Sequence, residues 1–189
     1  MAKSKDDSRR RYVTEPLARA EVLQRLAPHF EFIEEVEAIN ADGHALRIDA
    51  VATCRTTGWT FGWEFKKSHL FKSEFADAMR QAIHYRLSRI TDARLPAHKD
   101  MQLPAVALFP DWLGEHDDDV TNYGKEAEGM RLIGDQFRVG TMRQTGDDKF
   151  AFIMGQSGAI WNSTSGWSKT AEIKLFGKRG LGSTRKKDS

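Results

Sequence analysis

Cysteine is almost absent: Cys54 is alone in the sequence. No intrachain disulfide can form, and a multi-cysteine zinc site is excluded. A lone thiol fits a reducing compartment, so a cytoplasmic protein is expected. No apolar run approaches the roughly 18 residues needed to cross a bilayer, and a membrane partner is not expected. The first ten residues, MAKSKDDSRR, carry no apolar stretch behind their charges, so no secretory signal is expected. The six histidines share no metal-ligand spacing and none lies in a nucleophile motif. There is no Walker loop, no G-x-G-x-x-G and no repeat of solenoid period. What is present is one domain's worth of chain, 189 residues with 40% hydrophobic and 30% charged side chains. A chain of this length hides roughly 70% of its unfolded surface on folding.

Charge is segregated along the chain. Residues 1–11 hold five basic and two acidic side chains, and residues 174–189 hold six and one. The body, 12–173, is therefore acidic, with 18 basic against 24 acidic. Within it, Arg55 to Arg94 is locally basic (eight against four), whereas Asp111 to Asp135 is acidic (two against eight). The basic ends read either as solubilising flexible tails or as non-specific phosphate contacts. Glu115-His116-Asp117-Asp118-Asp119 reads as a solvated loop rather than a cation site.

Periodicity divides the body. Thr14, followed by Glu15-Pro16, signals a helix start with a capping hydroxyl and a first-turn proline. The apolar row Leu17, Ala20, Leu23 and Ala27, flanked by Val22 and Leu26, continues that helix to Pro28. HFEFIEEVEAI alternates as a strand, and Asn40-Ala41-Asp42-Gly43 has hairpin chemistry. ALRIDAVATC returns, and a turn at Thr56-Thr57-Gly58 leads into the alternating WTFGWEFKK. From Phe71 the period lengthens: Phe71, Phe75, Ala78, Met79, Ala82, Tyr85 and Ile90 mark a long amphipathic helix. The run between Pro104 and Pro110 reads as a buried strand. A helix follows to about Ile133, and FRVGTM, KFAFIMG and AIWNS are three further strands. Residues 12–173 are thus expected as one α/β domain with a core at 14–110 and a β appendage at 137–164, the latter a specificity or homodimer element.

The chemistry gathers around Glu64. In a strand, Trp59, Phe61, Trp63 and Phe65 share one face, and Gly62, Glu64 and Lys66 the other. The aromatic face must be core, which leaves a carboxylate and an amine side by side, beyond a glycine that gives a ligand room. On the preceding strand, Asp49 interrupts an apolar stretch, and a meander pairing through a short turn could bring it beside Glu64, with the exact register left open. At about 4 Å and an effective dielectric near 20, two carboxylates repel by about 4 kcal/mol. Protonation or a divalent cation relieves this. Hard oxygen donors suit Mg2+ or Mn2+, and Lys66 would serve the attacking water. Two readings stand: parts for phosphodiester hydrolysis, or a surface ion pair next to a hydrogen-bonded edge aspartate.

With Arg47-Ile48-Asp49 on one strand, Glu64-Phe65-Lys66 on the next, a helix at 15–27 before them and one through Gln81 after, the chain resembles the PD-(D/E)xK nuclease superfamily. The resemblance covers roughly residues 14–110; Ile48 stands where the motif usually has proline. Gln81-Ala82-Ile83-His84-Tyr85 is similar to the Q-x-x-x-Y element of the RecB-like branch. The resemblance implies a restriction-endonuclease-like αβββαβ core, a central mixed sheet flanked by helices, and metal-dependent DNA cleavage. It implies Asp49, Glu64, Lys66 and Gln81 as catalytic residues. The metal would be held by Asp49, Glu64, the backbone carbonyl of Phe65 and a helix carboxylate, Glu15. Lys67, Lys72, Arg80, Tyr85 and Arg86 are the candidate DNA contacts, and Trp161 and Trp167 read as base-stacking or packing residues. The alternative is a nuclease-fold protein that binds or assembles on DNA without turnover.

Overall fold

The computed structural model describes residues 14–67, 72–110, 123–146, 149–154, 159–162 and 166–169. The expected acidic loop after Asp111 and both basic ends lie outside the described residues. The described elements are α1 (Glu15–Leu26), β1 (Phe30–Ile39), β2 (Ala45–Cys54), β3 (Thr60–Phe65), α2 (Lys72–Leu87), β4 (Arg89–Ile90) and β5 (Val106–Phe109). Then come α3 (Tyr123–Gln136), β6 (Val139–Gly146), β7 (Lys149–Met154), β8 (Ala159–Asn162) and β9 (Gly166–Lys169). The strands form one mixed sheet in the order β4-β1-β2-β3-β5-β6-β7-β8-β9. β1, β2 and β3 make an antiparallel meander, β3, β5 and β6 run parallel, and β6 to β9 are again antiparallel. The class is α/β, with helices packed on an open sheet.

The two faces of the sheet carry different cores. On one, Ala18, Val22, Leu23 and Leu26 of α1 pack with Phe30, Ala50, Ala52, Phe61, Trp63, Phe65 and Phe109. Phe61, Trp63 and Phe65 are fully buried, and their rings stack in a column at 5.7 and 5.1 Å. Each such side chain contributes roughly 1.5–3 kcal/mol through burial alone, which makes the column the main anchor of β3. On the other face, Phe75, Ala78, Met79, Ala82 and Tyr85 of α2 meet Val36, Ile48, Val51 and Val106, with Met130 of α3 alongside.

Local chemistry accounts for the meander. Asn40 Oδ1 accepts the amides of Asp42 (3.0 Å) and His44 (2.8 Å), and Gly43 takes φ +83, which a side chain would resist. The helix start differs from expectation. Thr14 has the extended backbone of an N-cap, but its hydroxyl makes no capping hydrogen bond. The buried stripe of α1 is also rotated: Ala18, Val22, Leu23 and Leu26 are buried, whereas Leu17 is 60% exposed and Ala20 and Ala27 are exposed. An i, i+4 row of Ala18, Val22 and Leu26 fits the flat aromatic column, because its first residue is small. Two strands escaped the sequence reading: β4, only two residues long, on the edge beside β1, and β9, beyond the three appendage strands expected.

Candidate active site

β2 and β3 pair through Thr53–Thr60, Ala52–Phe61, Val51–Gly62 and Ala50–Trp63. One more step sets Asp49 opposite Glu64, and there the backbone ladder ends. The Asp49 side chain supplies the next rung: its Oδ2 accepts the Phe65 amide at 2.8 Å. The N–H and C=O of one strand residue point the same way, so the Phe65 carbonyl is directed to the Asp49 side as well.

This edge-on posture comes from a break in strand alternation. On β1, Phe30 and Phe32 pack on the α1 side, but Val36 and Ala38 pack on the α2 side. On β2, Ala50, Ala52 and Cys54 lie on the α1 side and Ile48 on the α2 side. Regular alternation would keep even-numbered residues together. Both strands change faces at one rung: Glu34 pairs with Ala50 and Val36 with Ile48, but Glu35 and Asp49 do not pair. Glu35 there takes φ +52.

Glu64 is fully buried on the α2 side. Lys66 Nζ lies against its Oε1 and 3.7 Å from Glu15 Oε2. That contact is ionic rather than directed: neither Glu64 oxygen accepts a well-aligned hydrogen bond among the described residues. Burial, followed by the charge of Asp49, pushes the Glu64 carboxyl up to about 8, against the pull of Lys66. Asp49 is raised by burial too, with the Phe65 amide and Lys66 opposing. Burial works to lower Lys66, but the carboxylates of Glu64, Glu15 and Asp49 outweigh it and its net shift is upward. From α2, Gln81 Nε2 donates to Tyr85 Oη at 2.8 Å, and the Tyr85 hydroxyl donates to Asp49 Oδ1 at 3.3 Å. Burial and the two carboxylates raise Tyr85, so its hydroxyl stays protonated as a donor.

Asp49, Glu64, Lys66, Gln81 and Tyr85 thus meet at one point, with Glu15 joined through Lys66. Tyr85 is buried with its hydroxyl on Asp49, so it supports the acidic pair from beneath. The proposed phosphate contacts are dispersed: Lys67 pairs with Glu74 at 3.0 Å, Arg80 with Asp77 at 3.6 Å, and Arg86 donates to Gln102 at 3.3 Å. The side chain of Lys72 lies outside the described residues, as do those of Trp161 and Trp167, whose backbones pair across β8 and β9. Gly62 does not make room for a ligand. A Cβ there would lie 2.7 Å from Leu103 Cδ1 and 3.3 Å from Val106 Cγ2, so the glycine admits packing side chains instead.

Three further residues surround the break, none with a local sequence signal. Arg19 of α1 reaches Glu34 (3.4 Å) and Glu35 (2.7 Å). Asp92 and Arg94 approach β1 from the other side: Asp92 Oδ2 accepts the Glu37 amide at 3.1 Å, and Arg94 NH2 donates to the carbonyls of Glu34 and Glu35, each at 3.1 Å.

Among the described residues no three or more His, Cys, Asp or Glu side chains gather as a metal-holding group. The protein's own donors are the Asp49 and Glu64 carboxylates. Their chemistry fits a hard divalent cation: two oxygen donors, each disfavoured as an anion by burial, and Glu64 without a directed hydrogen bond. Lys66 supplies positive charge at this point and would have to yield Oε1 to such an ion. No protein-family model, curated protein or solved structure matches the chain.

Proposed function

We propose that this chain is a metal-dependent DNA nuclease of the PD-(D/E)xK kind, built on a restriction-endonuclease-like αβββαβ core. The observation that carries the reading is the convergence of Asp49, Glu64 and Lys66 where the β2–β3 ladder ends. The order α1-β1-β2-β3-α2-β5 around that point supports it. Asp49 and Glu64, with the Phe65 carbonyl beside them, would hold Mg2+, or Mn2+ in its place. The ion would supply charge neutralisation and an acidified water.

The chain's own residues do the rest. The Phe65 amide and the Tyr85 hydroxyl fix the two oxygens of Asp49, so that carboxylate is oriented before substrate arrives. Gln81 holds Tyr85, and so acts one step behind the acidic pair. Lys66, a half-buried ammonium between Glu64 and Glu15, is placed to orient the attacking water and to offset charge developing on a phosphate. In-line attack would leave a 5′-phosphate and a 3′-hydroxyl. Lys67, Arg80 and Arg86 present cations outside this point for the DNA backbone. Among the described residues no helix is long and apolar enough to cross a membrane.

The test offers purified protein, with Mg2+ or Mn2+, linear, circular, single-stranded and branched DNA. Cleavage is expected, and Lys66→Ala should slow it by about 10²- to 10⁴-fold, with Asp49→Asn similarly impaired. No cleavage, or cleavage by both variants as fast as by the parent, overturns the proposal. DNA binding that persists without cleavage and ignores both substitutions would identify a non-catalytic DNA-binding protein instead.

A further inference from the structure

We infer that Arg94, oriented by Asp92, is a positioning residue that sets the Asp49 carboxylate by holding the face switch in β1. The activity arm of its test rests on the nuclease reading; the geometry does not. Successive carbonyls of a regular strand point to opposite edges. Those of Glu34 and Glu35 both reach one guanidinium nitrogen at 3.1 Å, because φ +52 at Glu35 turns the intervening peptide. That backbone conformation is sparsely populated for a residue with a Cβ, so something must hold it.

Arg94 is built for the task. Its Nε donates to Asp92 Oδ1 (2.9 Å) and its NH2 to Asp92 Oδ2 (2.7 Å), so the carboxylate locks the plane of the guanidinium. Asp92 is itself fastened to β1 through the Glu37 amide and is buried. Arg19 holds the side chains of Glu34 and Glu35 from α1. The switch is therefore gripped on its backbone by one arginine and on its side chains by another. Asp49 stands opposite Glu35, at the rung both strands leave unpaired, and its carboxylate lies edge-on toward Phe65 only because β2 changes faces there. Loosening the switch in β1 removes the constraint that keeps Asp49 in the sheet plane.

The direct readout is hydrogen exchange of the Phe65 amide, whose acceptor is the Asp49 side chain. In Arg94→Ala this amide should exchange at least about tenfold faster, while the other β2–β3 amides keep their protection. In DNA cleavage the same variant should lose about tenfold or more in kcat with KM within about threefold, as expected when a reacting group is misplaced. Glu35→Gly in the Arg94→Ala background should restore much of both losses, since glycine adopts φ +52 unaided. Unchanged Phe65 exchange, or a uniform rise across all sheet amides, overturns the inference, as does a double variant no better than the single one. Should Arg94→Ala not fold, Arg94→Lys serves: one ammonium cannot span Asp92 and both carbonyls, so selective Phe65 exposure is again expected and its absence is fatal. If the parent protein cuts no DNA, the nuclease proposal falls, and the exchange measurement still decides this one.

Discussion

Two acid–base pairs of identical spacing, Glu64–Lys66 and Asp92–Arg94, behave in opposite ways. Both acids are buried, at 0% and 4% exposure. Asp92 is held far below the usual carboxylate range, first by the hydrogen bonds of Arg94 and further by the amides of Arg94 and Glu37. Glu64 is pushed up to about 8 because burial and the neighbouring Asp49 charge outweigh its ammonium partner. The leading cause differs: the hydrogen bonds of Arg94 outrank burial at Asp92, whereas burial outranks the ammonium partner at Glu64. A carboxylate surrounded by directed N–H groups is a structural rivet. One facing a second carboxylate, with an ammonium it shares with Glu15, is instead held toward its protonated form.

The largest expected effect comes from neutralising the unsaturated acid. The folded-state value of Glu64 lies above its ordinary 4.5, so the folded protein retains a proton that the unfolded chain has released. The contribution of Glu64 to stability should therefore be greatest below about pH 4.5, decline as pH rises to about 8, and level off beyond. Glu64→Gln removes this decline: at pH 8 the variant should be more stable than the parent by about 4 kcal/mol, while at pH 4 the two converge. Denaturant unfolding across that range checks it. A variant less stable than the parent at pH 8 would mean that Lys66 satisfies Glu64 as fully as Arg94 satisfies Asp92.

The saturated acid should respond in the reverse sense. Its folded value is depressed, so its contribution is present above the ordinary 3.8 and is lost as pH falls below that. Asp92→Asn should cost about 2 kcal/mol at pH 7, with the gap to the parent narrowing in acid. Equal acid limbs for parent and variant would break the contrast. The smallest effect belongs to Arg19, whose carboxylate partners are about half exposed. Arg19→Ala should cost about 0.5 kcal/mol, shrinking further in high salt.

Much of this arrangement was legible because a strand's period of two is hard to mistake. Alternation in residues 59–65 separated the aromatic column from Glu64, but the register that sets Asp49 opposite Glu64 could not be read from the turn at Gly58. What could not be read was set by distant packing. The stripe of α1 turned to bury Ala18 because a flat ring column lay beneath it, and Leu103 filled the space above Gly62 from 41 residues away. The face switch was hidden because alternating letters do not reveal a peptide turned by φ +52 at Glu35. Asp92 and Arg94 lay in a loop whose only local pattern was polarity, and their task is on a strand more than fifty residues earlier.

The shared switch at Glu35 and Asp49 implies that each strand contains one residue more than its hydrophobic pattern requires. With both excised in thought, Phe30, Phe32, Val36 and Ala38 fall into unbroken alternation, and so do Ile48, Ala50, Ala52 and Cys54. The aspartate proposed to hold the metal is thus dispensable to the sheet. A hairpin shortened by this facing pair would be the more regular one, at the cost of the side chain that reaches across to the Phe65 amide.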